Sequence, residues 1–373
     1  MKQIATTWSI ALLISGATIG AGILGLPIQT GQAGFIPSFV AITVLWLFMF
    51  ISGSIIAEHY LRAEDKGIDL PGIFERAFGT SGKYVAAADA FYVLIFFIPA
   101  TFIALYGMNL VLKANTILML IMGVAFIVLI TTVSGEINFE RYSFQDWEYI
   151  PFCLPVILTA FVFHNIIPSI CRNLDHDKKA IRKAMFVGTL LPCVVNIIWV
   201  AVVTGALPLE SIEAAAVANQ PATVPLASFI KSNTLTMATM IFSFAAIFTS
   251  YVAVAVGLRN FFHDMFSWGK QEVKPFWPIF FTYVPPLLVV LIYPQLFLSA
   301  LDIAGGVGVV IIFGILPAMM MIKRHHTTLR YITGWFLIII FIAIMLMTIA
   351  KEANLITIKP HIEYWKSVHQ VKS

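Results

Sequence analysis

Charged residues are scarce in this sequence of 373 residues, in which Asp, Glu, Lys and Arg together account for 11% and hydrophobic residues for 60%. A soluble globular domain is about a quarter charged, because its surface must be hydrated. The scarcity of charge therefore excludes an ordinary soluble protein. The mean hydropathy of +0.91 agrees with this and indicates a chain that crosses a lipid bilayer several times.

Cysteine is also rare. Cys153, Cys171 and Cys193 lie in or beside apolar segments, and an odd number without paired spacing argues against both a disulfide framework and a metal site. We find no nucleophile–base set or metal-ligand cluster, so the sequence does not predict an enzyme. No segment repeats the rings of charge that line ion channels. Nothing in the sequence indicates a cofactor, a bound metal or a nucleic-acid partner.

Long apolar runs are abundant instead. A spanning helix needs about 20 apolar residues, and the lengths of these runs fit helices better than the strands of a barrel. We therefore predict a single all-α polytopic membrane domain over residues 1–373. The apolar segments are 6–29, 36–58, 84–112, 115–133, 150–171, 184–207, 235–262, 276–294, 297–322 and 331–350.

Positive charge is distributed unevenly between the connections. Residues 59–83, 172–183, 259–275 and 323–330 carry fifteen Lys and Arg residues, whereas the opposing connections carry two. Because cytoplasmic loops are enriched in Lys and Arg, the pattern places these four connections and the N-terminus in the cytoplasm. The long connections are polar enough to be solvated, and 208–234 is expected outside.

One region does not fit this alternation. The connection 59–83 is expected inside and the acidic connection 134–149 outside, so an odd number of crossings must separate them. Residues 84–133 hold two apolar segments, and three full spans would need about 60 residues. Either one segment fails to cross the membrane or a span is missing, which would make this a shortened protein.

The first apolar segment contains Ser15-Gly16-Ala17-Thr18-Ile19-Gly20-Ala21-Gly22, and Pro27 follows. Three glycines within seven positions weaken a helix. Irregular backbone at membrane depth is tolerated only where protein or a polar cavity satisfies it. The stretch is therefore either a broken helix whose free backbone groups face a ligand, or a seam of small residues where helices pack closely.

Several segments together resemble one known family. Residues 15–27, read with 33–38, resemble the opening of the tryptophan/tyrosine permeases, which belong to the amino acid–polyamine–organocation superfamily. Residues 161–169 resemble the sixth helix of that family, 249–258 its eighth helix and 300–306 the start of its tenth. The likeness runs along most of the chain in the expected order. The family has eleven spans, one more than the ten segments counted here.

The resemblance implies a leucine-transporter-type inverted-repeat fold, with discontinuous first and sixth helices. The first repeat would cover residues 6–133, the second 150–322, and an extra helix 331–350. A substrate would bind where the two broken helices meet near the midplane. Its carboxylate would face the amides at a helix N-terminus, and its ammonium group would face carbonyl ends.

The residues expected to contact substrate lie on the first, sixth and eighth helices. They are Gly16, Ala17, Thr18, Gly20, Gly22, Phe163, His164, Asn165, Phe244 and Phe248. Phe161 is expected near the same cavity. An offset contact between aromatic rings adds about 0.5–1.5 kcal/mol beyond burial. Phenylalanines would therefore favour tryptophan or tyrosine over aliphatic substrates by only about tenfold, and the shape of the site must supply the rest.

The coupling ion, H⁺ or Na⁺, is left open by the sequence. His164 is the only histidine within an apolar segment, so it either carries a coupling proton or is a neutral histidine satisfied by neighbouring backbone. Thr249 and Ser250 either ligate sodium, as the equivalent pair does in sodium-coupled relatives, or simply link helices. The permeases are regarded as proton-driven. Residues 114–133 lack the lysine that some proton-coupled relatives use instead of sodium.

Asp302 precedes Gly305-Gly306 near the expected outer end of the tenth helix. A solvated or gating role is as plausible from the sequence as proton carriage.

The resemblance thus implies a multi-pass protein of the bacterial inner membrane, with its N-terminus in the cytoplasm. It would import tryptophan or tyrosine by proton symport through alternating access. Two alternatives stay open at this point. One is a sodium-coupled amino acid symporter, and the other is an amino acid sensor on the same scaffold that binds without transporting.

Overall fold

The computed structural model describes residues 6–62, 101, 104–105, 108–266, 276–292, 297–323, 328–353 and 355–356. Every regular element in these residues is a helix. Seven of the helices are long and apolar enough to cross a membrane, and one bent pair would form an eighth span. The connection 63–100, which includes Asp89 and most of the predicted segment 84–112, lies outside the described residues.

The described helices are numbered here in chain order. They are α1 (Thr7–Thr18), α2 (Ala21–Gly31), α3 (Phe35–Arg62), α4 (Met108–Val133), α5 (Ile150–Ala160), α6 (Ile167–Asn173), α7 (Lys178–Ala206), α8 (Leu209–Val217), α9 (Thr223–Ile230), α10 (Asn233–Phe266), α11 (Phe276–Ile292), α12 (Phe297–Ile303), α13 (Leu316–Lys323) and α14 (Thr328–Glu352). A π-helical stretch, Ala304–Ile315, joins α12 to α13, and these three elements are called the tenth segment from here on, after the family helix that they resemble.

The first apolar segment is a broken helix, as one of the two hypotheses predicted. α1 ends at Thr18, α2 begins at Ala21, and their axes differ by 51°. The amide of Gly20 donates to the carbonyl of Thr18 at 3.0 Å, so the chain turns too tightly to continue α1. The backbone of the first segment therefore leaves helical geometry at Ile19 and Gly20.

The segment 150–171, called the sixth segment from here on after the family helix that it resembles, is broken as well. α5 ends at Ala160, a single 3₁₀ turn covers His164–Ile166, and α6 begins at Ile167. Pro168 lies in the first turn of α6, where its missing N–H leaves no helical bond unmade. The two broken segments that the resemblance implied are therefore both present.

A proline in α7 leaves a free carbonyl to which α1 is hydrogen-bonded. Pro192 has no amide, so the carbonyl of Gly188, one turn earlier, lacks its usual helical donor. The hydroxyl of Ser15 in α1 donates to this carbonyl at 3.0 Å. A Cβ at Gly188 would lie 2.8 Å from the carbonyl oxygen of Ala11, so only glycine permits this close approach.

Helix α2 is hydrogen-bonded to different elements. The hydroxyl of Tyr149 donates to Oε1 of Gln32 at 3.0 Å, and the thiol of Cys153 donates to the carbonyl of Gln29 at 3.3 Å. The amide of Ala222 donates to the carbonyl of Leu24 at 2.8 Å. α2 is thus bonded to the start of α5 and to the connection between α8 and α9.

The connection 208–234 is more ordered than the sequence indicated. We expected a solvated loop, but the chain forms α8 and α9 there. Leu209, Ile212 and Leu226 are buried, which explains why these short helices lie against the membrane bundle. Helix α9 ends at Ile230, and the capping residue Lys231 that follows adopts a left-handed conformation with φ of 51°.

Candidate functional site

The break in the first segment lies in contact with α10 and with the end of α5. A Cβ added at Gly20 would overlap the side chain of Ser250 in α10. A Cβ added at Gly22 would lie 2.7 Å from Cα of Ala160, the last residue of α5. Gly20 and Gly22 therefore let three elements converge on one point. The structure brings Gly20, Gly22 and Ser250 together, as the candidate site requires.

Helix ends meet at this point too. Some end groups at the break are paired: the carbonyls of Ser15 and Thr18 accept from the amides of Ile19 and Gly20, and the amide of Ile23 donates to the carbonyl of Gly20. The carbonyls of Gly16 and Ala17 and the amides of Ala21 and Gly22 have no such bond among the described backbone groups. The start of α2, at Ala21 and Gly22, carries partial positive charge, and the end of α1 carries partial negative charge. The site can thus present opposite partial charges without any ionised side chain.

Thr249 is buried, and its hydroxyl donates to the carbonyls of Ala245 and Ala246 in its own helix, at 3.0 and 3.1 Å. Its proton is therefore committed to α10. Thr249 and the neighbouring Phe248 line a narrow crevice between α1, α4 and α10.

Asn115, on α4, lines the same crevice and was missed by the sequence reasoning. It is buried, and its Nδ2 donates to the carbonyl of Leu12 in α1 at 3.1 Å. A Cβ at Gly16 would overlap its Oδ1, which has no hydrogen-bond partner among the described residues. An uncharged polar residue inside an apolar segment was the available signal, whereas we had looked there only for a lysine.

His164 is completely buried at the break of the sixth segment. Its ring stacks on Phe313 of the π-helical stretch and lies against Phe163, with both centroid distances 4.7 Å. Neither ring nitrogen has a hydrogen-bond partner in the described part of the chain, although the carbonyl of Met49 in α3 faces the ring. The contacts of His164 are thus with α3 and the tenth segment rather than with Ser250.

Three other predicted residues, Ala17, Thr18 and Asn165, lie at the two breaks. Ala17 and Thr18 are buried at the end of α1, and the hydroxyl of Thr18 donates to the carbonyl of Ile14 at 2.7 Å. Asn165 packs against α10, where a Cβ at Gly257 would lie 2.9 Å from its Nδ2.

Among the predicted phenylalanines, Phe161 and Phe163 are buried, and the ring of Phe163 occupies the space beside Gly53 of α3. Phe244, in contrast, is 54% exposed on the surface of α10. The structure therefore does not place it at the cavity, because nearness to a motif in sequence does not determine which face of a helix a residue occupies.

An apolar cavity of about 180 Å³ lies beside the break, between α1, α4, α7 and α10. Ile19 at the break, Phe126 and Phe242 form part of its wall, and it opens near Leu120, which is 67% exposed. The rings of Phe126 and Phe242 are stacked, with centroids 5.4 Å apart. We had not predicted these two rings, since they lie outside the recognised motifs.

Comparison with solved structures supports the fold. Mhp1, a nucleobase-cation-symport-1 family transporter solved in a closed conformation with bromovinylhydantoin bound, aligns over 98% of this chain and 93% of its own, with a TM-score of 0.56. The sequence identity is 10%, so this likeness concerns the fold alone. The all-helical inverted-repeat fold predicted from the sequence is confirmed.

Comparison with curated proteins gives relatives over most of the chain. The tryptophan-specific transport protein of Haemophilus influenzae is 30% identical, covering 83% of this chain and 85% of its own length. The tyrosine-specific transport system 1 of the same organism is 28% identical, covering 86% and 89%. The low affinity tryptophan permease of Escherichia coli is 24% identical, covering 87% and 88%.

The sequence profile of the tryptophan/tyrosine permease family matches residues 3–97 and 86–352. The two matched segments overlap at residues 86–97, in the region where the sequence has one apolar segment fewer than the family's eleven spans require. Together they cover most of the chain, in agreement with its spanning helices and its two broken segments. The chain therefore belongs to the tryptophan/tyrosine permease family, whose members are transporters of aromatic amino acids and not enzymes.

Proposed function

We propose that this permease imports tryptophan or tyrosine by alternating access, driven by proton symport. The observation that carries the proposal is the convergence of the first break, the end of α5 and Ser250 at Gly20 and Gly22. The names of the relatives, which are specific for tyrosine or tryptophan, support the substrate class.

The zwitterionic part of the substrate fits the helix ends. Its carboxylate would accept hydrogen bonds from the first amides of α2, and its ammonium group would donate to the last carbonyls of α1. Gly20 and Gly22 carry no side chain, and in this structure Ser250 and Ala160 fill the space beside them. The substrate therefore reaches this backbone only when those two residues move away. Such binding needs no charged residue in the membrane, where one would be costly.

The aromatic ring fits the apolar cavity beside Ile19. Phe126 and Phe242 form part of its wall, and an offset contact of either ring with an indole or phenol adds about 0.5–1.5 kcal/mol beyond burial. Since the cavity borders the break, a substrate whose backbone groups meet α1 and α2 can extend its ring into it.

The proton is assigned to His164. His164 is an imidazole buried at membrane depth, and neither of its ring nitrogens has a hydrogen-bond partner in the described part of the chain. Such burial is costly, which makes the residue a functional candidate. An exposed histidine titrates near physiological pH, so proton uptake by His164 requires a state in which water reaches its ring. Sodium symport is the second candidate, favoured by the position of Ser250 directly against the backbone at Gly20.

Uptake by proteoliposomes tests the proposal. We expect labelled tryptophan to accumulate when the lumen is alkaline relative to the medium, and not when only a sodium gradient is imposed. Accumulation with sodium alone would replace the proton by sodium. Tryptophan binding without any counterflow would show a sensor instead of a transporter, and liposomes without protein provide the blank.

A further inference from the structure

An ion pair joins the tenth segment to the last helix. Nζ of Lys351, near the end of α14, lies 2.5 Å from Oδ2 of Asp302 in α12. The side chain of Asp302 is 4% exposed and that of Lys351 is 28% exposed. The solvated role that the sequence had left open therefore does not apply to Asp302. Its ionised form depends on Lys351.

Two neutral hydrogen bonds attach α12 to other elements. The hydroxyl of Thr159, one residue before the end of α5, donates to the carbonyl of Leu301 at 2.8 Å. The hydroxyl of Ser299 donates to Oδ1 of Asn219, between α8 and α9, at 3.3 Å. This short helix is thus tied to the break of the sixth segment, to the connection beside α2 and to the last helix.

The chain changes its helical form directly after α12. The π-helical stretch begins at Ala304, and at Gly305 the backbone lies directly against the carbonyl of Pro155 in α5. π-helical turns are rare and often occur at functional sites. α12 therefore lies at the junction of two helical forms, where it can move relative to α13.

We propose that Asp302 and Lys351 are a positioning pair that holds α12 against α14, beside the end of α5, and that the protein opens on this side only when the pair separates. The proposal goes beyond the proposed function and uses from it only alternating access. By charge distribution this is the outer end of the bundle.

The physical basis is the difference in solvation between the two states. In the closed state the pair is shielded from water, so the attraction between the two charges is strong. When α12 moves away, water reaches both groups and hydration offsets part of the lost attraction, whereas removing Lys351 alone leaves Asp302 buried and unpaired in the closed state and so favours opening. Charge-assisted bonds are roughly twice as strong as neutral ones. The ion pair therefore exceeds the bonds at Thr159 and Ser299 as a latch.

A native cysteine reports on this opening. Cys153 in α5 is 0% exposed, and both Asp302 and Lys351 lie close enough to act on it electrostatically. With Cys171 and Cys193 replaced by alanine, a membrane-impermeant maleimide added from outside measures the exposure of Cys153 alone. We expect Lys351→Met to speed labelling by about tenfold, as a shift in population toward the open state requires. Lys351→Arg keeps the pair and should label at the parent rate.

Arg330→Met is the matched control. Arg330 lies at the other end of α14, where its guanidinium is 3.7 Å from the carboxylate of Glu58, and the two side chains are 48% and 36% exposed. This variant loses the same charge from the same helix and should leave the labelling rate unchanged.

Parent-like labelling of Cys153 in Lys351→Met that still binds tryptophan would overturn the proposal. If Lys351→Met does not fold, Asp302→Asn/Lys351→Met leaves no charge unpaired, and slow labelling of that protein would overturn it equally. The labelling rate does not depend on transport. A parent protein without counterflow would therefore disprove the proposed function and leave this test standing.

Discussion

Gly20 and Ser250 lie in direct contact where the first segment leaves helical geometry, 230 positions apart in the chain. This contact unites the two hypotheses that the glycine-rich stretch had left open. The stretch is a broken helix, and at the same position it is a close-packed seam. A substitution at Gly20 must therefore act on ligand access and on packing together.

A substitution at Gly20 and a compensating substitution at Ser250 test the contact. We expect Gly20→Ala to lower both tryptophan affinity and the unfolding temperature, since overpacking costs about 1–3 kcal/mol. Gly20→Ala/Ser250→Gly frees the space that the new methyl group needs and should restore the unfolding temperature. Binding and thermal unfolding are measured on the same purified protein. A double variant as unstable as Gly20→Ala would show that the two positions do not share this space.

Filling the apolar cavity tests the binding of the ring. Gly123 of α4 lines the cavity, and a Cβ added there meets no described atom within 4 Å. Gly123→Leu should therefore fold normally and bind tryptophan at least about tenfold more weakly, because its side chain occupies the space of the ring. Gly135→Leu, at another position with open space, is the control. Unchanged affinity in Gly123→Leu would exclude this cavity.

Replacing His164 by phenylalanine separates coupling from binding. The new ring keeps the stacking on Phe313 and against Phe163, so the protein should stay folded. We expect His164→Phe to lose proton-driven accumulation of tryptophan and to retain exchange of labelled for unlabelled substrate. The assay is uptake and counterflow in one proteoliposome preparation. Full accumulation by this variant would assign the proton to another group.

Asn196 of α7 offers a test of stability. It is 0% exposed, and neither its Oδ1 nor its Nδ2 has a hydrogen-bond partner among the described residues. Because such burial costs about 1–3 kcal/mol, Asn196→Leu should raise the unfolding temperature. A lower unfolding temperature in calorimetry would show that the amide has a polar partner, such as a bound water or the substrate.

The orientation in the membrane follows from charge placement and is tested by labelling. The three native cysteines are buried, so a single new cysteine gives a clear signal. An impermeant maleimide added outside should label Ser211→Cys on α8 and miss Lys179→Cys at the start of α7. The opposite pattern would invert the whole topology.

The broken segments could be predicted because glycine and proline act on the backbone where they occur. Gly20 and Pro168 mark the breaks without any knowledge of their neighbours. Contacts between distant segments could not be predicted in this way. Lys351 pairs with Asp302, and Asn115 bonds to Leu12, but only packing determines how the helices that carry these residues are rotated. The same limit explains Phe244, which was assigned to the cavity from its place beside a motif and lies on the surface.

The two fastenings of the first segment have a mechanical consequence. Ser15 bonds α1 to α7 below the break, whereas Leu24, Gln29 and Gln32 bond α2 to α5 and to the α8–α9 connection above it. None of these bonds crosses Ile19 and Gly20. A hinge rotation at these two residues therefore preserves all of them, but it must change the packing of α7, which contacts both α1 and α2, for example at Gly31 and Thr204.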